Sequence, residues 1–277
     1  MSVPGIDLGP DTAILATTWL LAAGVTLSTC EWLALRREFR SGGMYDWNII
    51  SVVHERNRKS ALAMRLIGNY PVFLAVLILR LAAAVGLFLL PTYTTSLLLG
   101  VLLVSHALLH FRCVYGLEGA DQMHFLVTAA LWVDSLFQDP SVRDYSLGFI
   151  ALQGCLSYFV AGVAKLFGPL WRDGTAIGHI LNTRSFGARW VASFFSRRPN
   201  FGCAATYGVL AFELLFPLTL VLPTSAALGI LALGVLFHVV NAFVMGLNLF
   251  VWSFVATYPA VLYLGCRINA AVFQQDA

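Results

Sequence analysis

The chain has 277 residues, 59% of them hydrophobic and only 11% charged, with a mean hydropathy of +0.79 and a formal net charge of +3. That composition excludes a soluble globular domain and points to a polytopic helical membrane protein. The apolar runs are continuous rather than ten-residue alternations, which excludes an outer-membrane barrel.

The first residues, MSVPGIDLGPDTA, carry no basic side chain, so the start does not read as a cleavable signal of the usual design. Residues 1–12 are expected to form an extramembrane tail and the first apolar run to stay in the membrane. Runs of about 20 apolar residues predict spans at Ala13–Leu35, Leu66–Leu90, Thr95–Phe111, Gln122–Phe137, Ser146–Phe167, Gly202–Leu222, Ser225–Met245 and Leu247–Cys266. The fourth is short and only Gly246 separates the last two, so either seven or eight spans are expected. The predicted fold is all-α: a polytopic integral membrane bundle of seven or eight helices with one or two interfacial helices. No internal repeat or low-complexity linker interrupts it, so residues 1–277 are expected to form a single domain.

Basic residues concentrate in two loops. Arg36, Arg37, Arg40, Arg56, Arg58, Lys59 and Arg65 fall in loop 36–65, and Arg172, Arg184, Arg189, Arg197 and Arg198 in loop 168–200. Arg112 lies on the same side, whereas the opposite side holds Arg143 and Arg267. The positive-inside rule therefore predicts cytoplasmic basic loops and an N-terminus outside. In the first loop, GGMYDWNIISVVHERNRK reads as an interfacial helix with a basic flank. In the second, Phe186, Trp190, Phe194 and Phe195 recur at helical spacing among arginines, which suits a helix on the membrane surface. Attraction to anionic lipid accounts for this charge, and no nucleic-acid module is recognisable. Five singly placed cysteines, Cys30, Cys113, Cys155, Cys203 and Cys266, have neither metal nor redox spacing and read as small core residues.

At about 1.5 Å per residue, His106, His110, His124 and His238 share a depth band with Lys165, and Asn241 follows His238 by one turn. His106 and His110 are four apart and project from one helical face. That spacing would suit a shared metal. Membrane di-iron enzymes need more histidines than the six present, and a haem would need facing histidines such as His124 or His238. Ordinary hydrogen bonding between helices stands beside these readings, and no metal site is assigned. Arg80, Asp134 and Glu213 form a second polar set, with Arg80 expected to pair with one of the carboxylates.

Lys165 closes a run free of charge from Tyr145 to Ala164. A lysine at a span's end can snorkel to headgroups. Yet Gly154, Tyr158, Ala161 and Lys165 follow steps of four, three and four, a stripe whose small residues face other helices. Lys165 is therefore expected in a protein-lined cavity, unpaired, where lost solvation makes the neutral amine accessible as a base.

The segments YFVAGVAKLFGPLWRDGTAI, FELLFPLTLVLP and FHVVNAFVMGLNLFVWSFVATYP, within Tyr158–Pro259, resemble the horizontally transferred transmembrane (HTTM) domain family. That family includes the membrane domain of vitamin K-dependent gamma-carboxylase and the bacterial sporulation-delaying-protein maturation factor. The resemblance places Lys165 on the carboxylase base that deprotonates reduced vitamin K, and His238 on the family's Phe-His motif. It implies a carbon–carbon lyase or peptide-modifying enzyme in a bacterial plasma membrane, with Lys165, His238 and Tyr158 as catalytic candidates. A reduced quinone such as menaquinone is the implied cofactor, with His106, His110, Trp171 and Asn241 as candidates to bind it. Membrane lipid and a small peptide substrate are the implied partners. Two features depart from the carboxylase: VDSLFQDP stands where its lysine-linked histidine would lie, and no soluble C-terminal carboxylase domain is expected after Phe273–Ala277. The carboxylase also works on the lumenal side, opposite to the side the charge bias assigns here. The alternative is a non-catalytic factor for peptide maturation, immunity or lipid binding, with Lys165 holding an anionic group. A transporter is disfavoured by the absence of matching halves.

Overall fold

The computed structural model of the protein describes residues 8–54, 68–113 and 115–273, whose regular structure is all helical, with no strand among them. The expectations for residues 1–7, for Arg56, Arg58, Lys59 and Arg65, and for residues 274–277 lie outside the described part. The helices are α1 (Pro10–Ala34), α2 (Trp47–His54), α3 (Tyr70–Leu89), α4 (Thr95–Arg112), α5 (Gly119–Phe137), α6 (Pro140–Leu166), α7 (Pro169–Arg172), α8 (Ala176–Leu181), α9 (Arg189–Arg197), α10 (Pro199–Leu215), α11 (Thr224–Met245), α12 (Asn248–Val255) and α13 (Tyr258–Phe273). Pro10, Pro71, Pro140, Pro169 and Pro199 stand in first turns, where a missing N–H is tolerated and the fixed φ suits the helix.

Seven segments of the described chain are long and apolar enough to cross a membrane: Pro10–Ala34, Tyr70–Leu89, Thr92–Arg112, Pro140–Leu166, Pro199–Leu220, Thr224–Met245 and Asn248–Ala271. The fold is thus an all-α, multi-pass membrane architecture. Helix α5, the expected fourth span, falls outside this set because Asp121, Gln122, His124 and Asp134 dilute its apolar residues. The last two spans are separate: α11 ends at Gly246, whose φ of +76° gives a left-handed cap. The final segment breaks between α12 and α13 at Ala256 and Thr257, ahead of Pro259, which has no N–H to donate to the Val255 carbonyl and whose ring crowds it.

The chain divides into two compact units, Leu15–Ser146 and Met1–Ile14 with Leu147–Ala277. In the first, α4 packs between α3 and α5. The loop after α1 folds onto it around Phe39, Tyr45, Ile50, Phe73, Leu77, Leu109 and Cys113. Arg112 is completely buried there, its guanidinium 5.2–5.4 Å from the ring centres of Phe39, Trp47 and Phe73 and one nitrogen donating to the Phe39 carbonyl at 3.4 Å. The segment expected to lie at the interface is helical over α2, with Ile50 inward and Ile49 and Val52 exposed.

In the second unit α11 packs against α12 and α13, and a 3-10 turn over Phe216–Leu220, opened by Pro217, fits between α11 and α13. The segment expected to form a surface helix is helical over α9, which begins after Phe186. Val191, Ala192 and Phe195 pack toward Leu181 and Val244 while Trp190 stays 74% exposed. None of the five cysteines forms a disulfide among the described residues; Cys113 and Cys155 are buried as expected, but Cys30 is exposed.

The closest helix approach beside Lys165 is made at Gly162. A Cβ there would lie 2.9 Å from Leu214 Cγ and 3.1 Å from its backbone nitrogen, so only glycine lets α6 and α10 come this near. Gly162→Ala should lower stability by about 1–3 kcal/mol through overpacking. Gly148→Ala on the same helix, where nothing lies within 4 Å of the added methyl, should be neutral or stabilising by up to about 1 kcal/mol. Thermal unfolding in detergent compares the two.

Candidate functional site

The Gly154–Tyr158–Ala161–Lys165 stripe faces other helices of the second unit, as its spacing predicts. Gly154 lies against Thr257, where a Cβ would sit 2.8 Å from the Thr257 hydroxyl oxygen. Tyr158 is buried, and Lys165 is 23% exposed at the end of α6.

Lys165 is not alone. Its Nζ donates to both carboxylate oxygens of Glu213, at 2.7 and 2.6 Å. Glu213 projects from the last turn of α10, one residue before the Leu214 that Gly162 accommodates. Trp171 covers the pair, its ring centre 5.3 Å from Nζ in cation–π geometry. Local sequence explains this cover: Pro169 cannot continue α6, and Gly168 caps α7 and turns the chain back. A Cβ on Gly168 would lie 3.1 Å from Trp171 Cδ1 and 3.3 Å from the Lys165 carbonyl, so a larger residue there would have to push the indole back by a few tenths of an ångström. The expectation of an unpaired amine is therefore corrected. A charge at this depth requires a counter-charge, and Glu213 supplies it.

Two turns back on α6, Tyr158 Oη bridges His238 Nε2 at 2.5 Å and Tyr258 Oη at 2.7 Å. His238 comes from α11, and Tyr258 opens α13 at the break before Pro259. A Cβ on Gly234 would run into the Tyr258 hydroxyl, so glycine one turn before His238 makes room for it. Phe212, Phe216, Phe237, Phe250 and Phe254 surround the three groups, with Phe254 stacked on the His238 ring at 4.8 Å. Within this apolar enclosure His238 Nδ1 is buried and has no hydrogen-bond partner. Asn241, on α11 one turn beyond His238, is half-buried.

The remaining expectations fare differently. His106 and His110 belong to the first compact unit, and Lys165, Tyr158, Trp171, His238 and Asn241 to the second. His106 Nδ1 meets the Leu102 carbonyl at 2.9 Å and its Nε2 meets Arg80 at 3.1 Å, while His110 Nδ1 meets the His106 carbonyl at 3.1 Å. Arg80 does not pair with Glu213 or Asp134 as expected. Thr29, Ser105 and His106 hold its guanidinium, Glu213 is taken by Lys165, and Asp134 accepts from Arg143 at 3.2 Å. Sequence reading singled out neither Tyr258 nor the pairing of Glu213 with Lys165. The Thr-Tyr-Pro break before α13 was the signal available for the former.

An amine and a carboxylate in direct contact, close to a hydroxyl–imidazole row ending in an open ring nitrogen, can accept, hold and pass protons inside an apolar bundle. The fold and these groups define a multi-pass membrane protein that packs ionisable side chains between its helices. The family model described as the HTTM domain matches residues 63–264, and the chain belongs to that family. No curated protein and no solved structure gives a significant match.

Removing one partner of the ion pair should strand the other. Glu213→Gln is expected to cost about 1–3 kcal/mol, discounted for the partial exposure of Lys165. The double change Lys165→Met with Glu213→Leu should cost less than the two single changes summed. A double-mutant cycle of thermal unfolding in detergent measures the coupling, and additive losses would show the contact to be energetically idle.

Proposed function

We propose that this HTTM-family protein is a membrane-embedded, quinone-dependent enzyme of the carboxylase-like or peptide-modifying kind, with Lys165 as its base. The observation that carries this reading is the Lys165–Glu213 contact under Trp171. Glu213 can take up a proton from the Lys165 ammonium, leaving a neutral amine ready to accept one from substrate; the cycle closes when one of the two protons then held by the pair is released to solvent and the ion pair re-forms. The arrangement disfavours the alternative in which Lys165 holds an anionic ligand, because Glu213 already occupies its ammonium.

The residues fit a quinone. Its planar ring matches the Phe250 and Phe254 faces stacked beside His238, and a ring oxygen would give the orphaned Nδ1 a partner. A reduced quinone bound there would supply an acidic hydroxyl and, with oxygen as oxidant, the driving force for the reaction. The chain's own part is positional. Tyr158 and Tyr258 fix the His238 ring, Trp171 shields Lys165, and the phenylalanines exclude water. His106 and His110, in the other unit, are left out of this reading.

Lys165→Arg decides the role. An arginine can keep the Glu213 ion pair, and so the fold, but does not give up its proton near neutral pH. Oxygen-dependent consumption of reduced menaquinone by purified protein should therefore fall by at least about 10²-fold, the lower range for loss of a general base. Thermal stability should change little. Lys165→Ala should be equally inactive and also less stable, since it strands Glu213. Full turnover in the arginine variant would sink the catalytic reading.

The charge bias supports an N-terminus outside and basic loops on the cytoplasmic face. A cysteine replacing Arg197, in an otherwise cysteine-free chain, should react with an impermeant maleimide only after cells are permeabilised. Labelling of intact cells would reverse the orientation.

A further inference from the structure

The segment that joins α6 to α10 is basic, and nothing acidic answers it. From Gly174 to Phe212 the sequence holds no Asp or Glu, and Arg184, Arg189, Arg197 and Arg198 fall within that run. Helix α9 sorts the stretch into two faces. Val191, Ala192 and Phe195 turn toward Leu181 and Val244. Trp190, Phe194 and Arg197, at steps of four and three, stand on the other side and are all exposed. Immediately after them, the exposed Arg198 lays its guanidinium over the rings of Phe194 and Phe201, 5.1 and 5.9 Å from their centres, and both rings are themselves exposed. Among the described residues no carboxylate meets Arg197 or Arg198. The rings engage the plane of the Arg198 guanidinium, so its N–H edge, the part that grips an anion, is left to the surroundings.

The place of this corner in the chain says what lies opposite it. Pro199, the next residue, opens the membrane segment Pro199–Leu220, and the basic run begins soon after the segment Pro140–Leu166 ends. The corner therefore stands where a bilayer surface begins rather than out in water. An exposed face that combines tryptophan, phenylalanine and arginine suits that boundary, because the rings enter the headgroup layer while the charges stay wet. We propose that the corner between α9 and α10 seats the headgroup of an anionic phospholipid. The N–H edge of Arg198, held in plane by Phe194 and Phe201, grips the phosphodiester. Arg197 adds its charge beside it, and Trp190 covers the upper carbons of the acyl chains. Such a seat differs from the diffuse attraction of a basic loop to an anionic leaflet. Diffuse attraction counts charges alone, whereas a stacked guanidinium cannot be replaced by lysine, which has neither its planar face nor its fork of donors.

The test titrates the full chain in a neutral detergent with phosphatidylglycerol, phosphatidylcholine, inorganic phosphate and a polyglutamate peptide as separate probes, reading Tm. Phosphatidylglycerol should raise Tm by several degrees at saturation, and the other three should not. Arg37, Arg197 and Arg198 are all exposed. Arg198→Lys, the double change Arg197→Gln with Arg198→Gln, and Arg37→Lys should therefore leave the unliganded Tm close to that of the wild type. The first two should each raise the phosphatidylglycerol concentration needed for half the effect at least tenfold, and Arg37→Lys, in the other unit, should not move it. No rise with phosphatidylglycerol, an equal rise with phosphatidylcholine, or a rise as large with phosphate or the peptide would overturn the proposal. So would a response in Arg198→Lys as strong as that in Arg37→Lys, which would leave only diffuse charge.

Discussion

Charge inside hydrocarbon must be answered locally, and the contact between Lys165 and Glu213 is where the second unit answers it. Bringing an ammonium and a carboxylate to 2.6–2.7 Å requires their helices to meet almost backbone to backbone. Gly162 provides that approach, and Pro169 with Gly168 turn the chain so that Trp171 closes over the result. The polar pair thus sets how α6 and α10 pack, and small residues are needed where larger ones would give more dispersion contact.

The protein handles its buried cations in chemically distinct ways. Lys165, a compact ammonium, takes a carboxylate. Arg112, whose charge is spread over a plane, is held by three aromatic faces and one carbonyl. Arg80 uses its fork of donors to collect three separate lone pairs. A lysine could not reproduce either arginine environment, because it lacks both the planar face and the fixed divergence of donors.

Much of this could be read from the chain. Steps of four, three and four identified the stripe carrying Tyr158 and Lys165, and the spans followed from apolar run lengths. Periodicity reports which face a residue occupies, not which neighbouring helix that face meets. Depth alone therefore offers Arg80 either Glu213 or Asp134, whereas Lys165 holds the first and Arg143 meets the second, and it groups His106 with residues of another unit. Helix α5 shows a related limit, since its carboxylates and histidine lower its hydropathy while lying against protein rather than lipid. Tyr258 escaped notice because its role depends on a helix break and on the space left by Gly234, features that emerge only when three helices are packed together.

The row of Tyr258, Tyr158 and His238 is directional. Either each hydroxyl donates toward the imidazole, leaving a proton on Nδ1, or the imidazole donates toward the tyrosines and Nδ1 is bare. Passage of one proton along the row converts the first order into the second. A second proton could follow the same way only after both hydroxyls had turned about their C–O bonds and the imidazole proton had returned to Nδ1. A relay built on such a row would carry one proton per cycle, and the imidazole, against which the Phe254 ring is stacked, would have to be reset before the next.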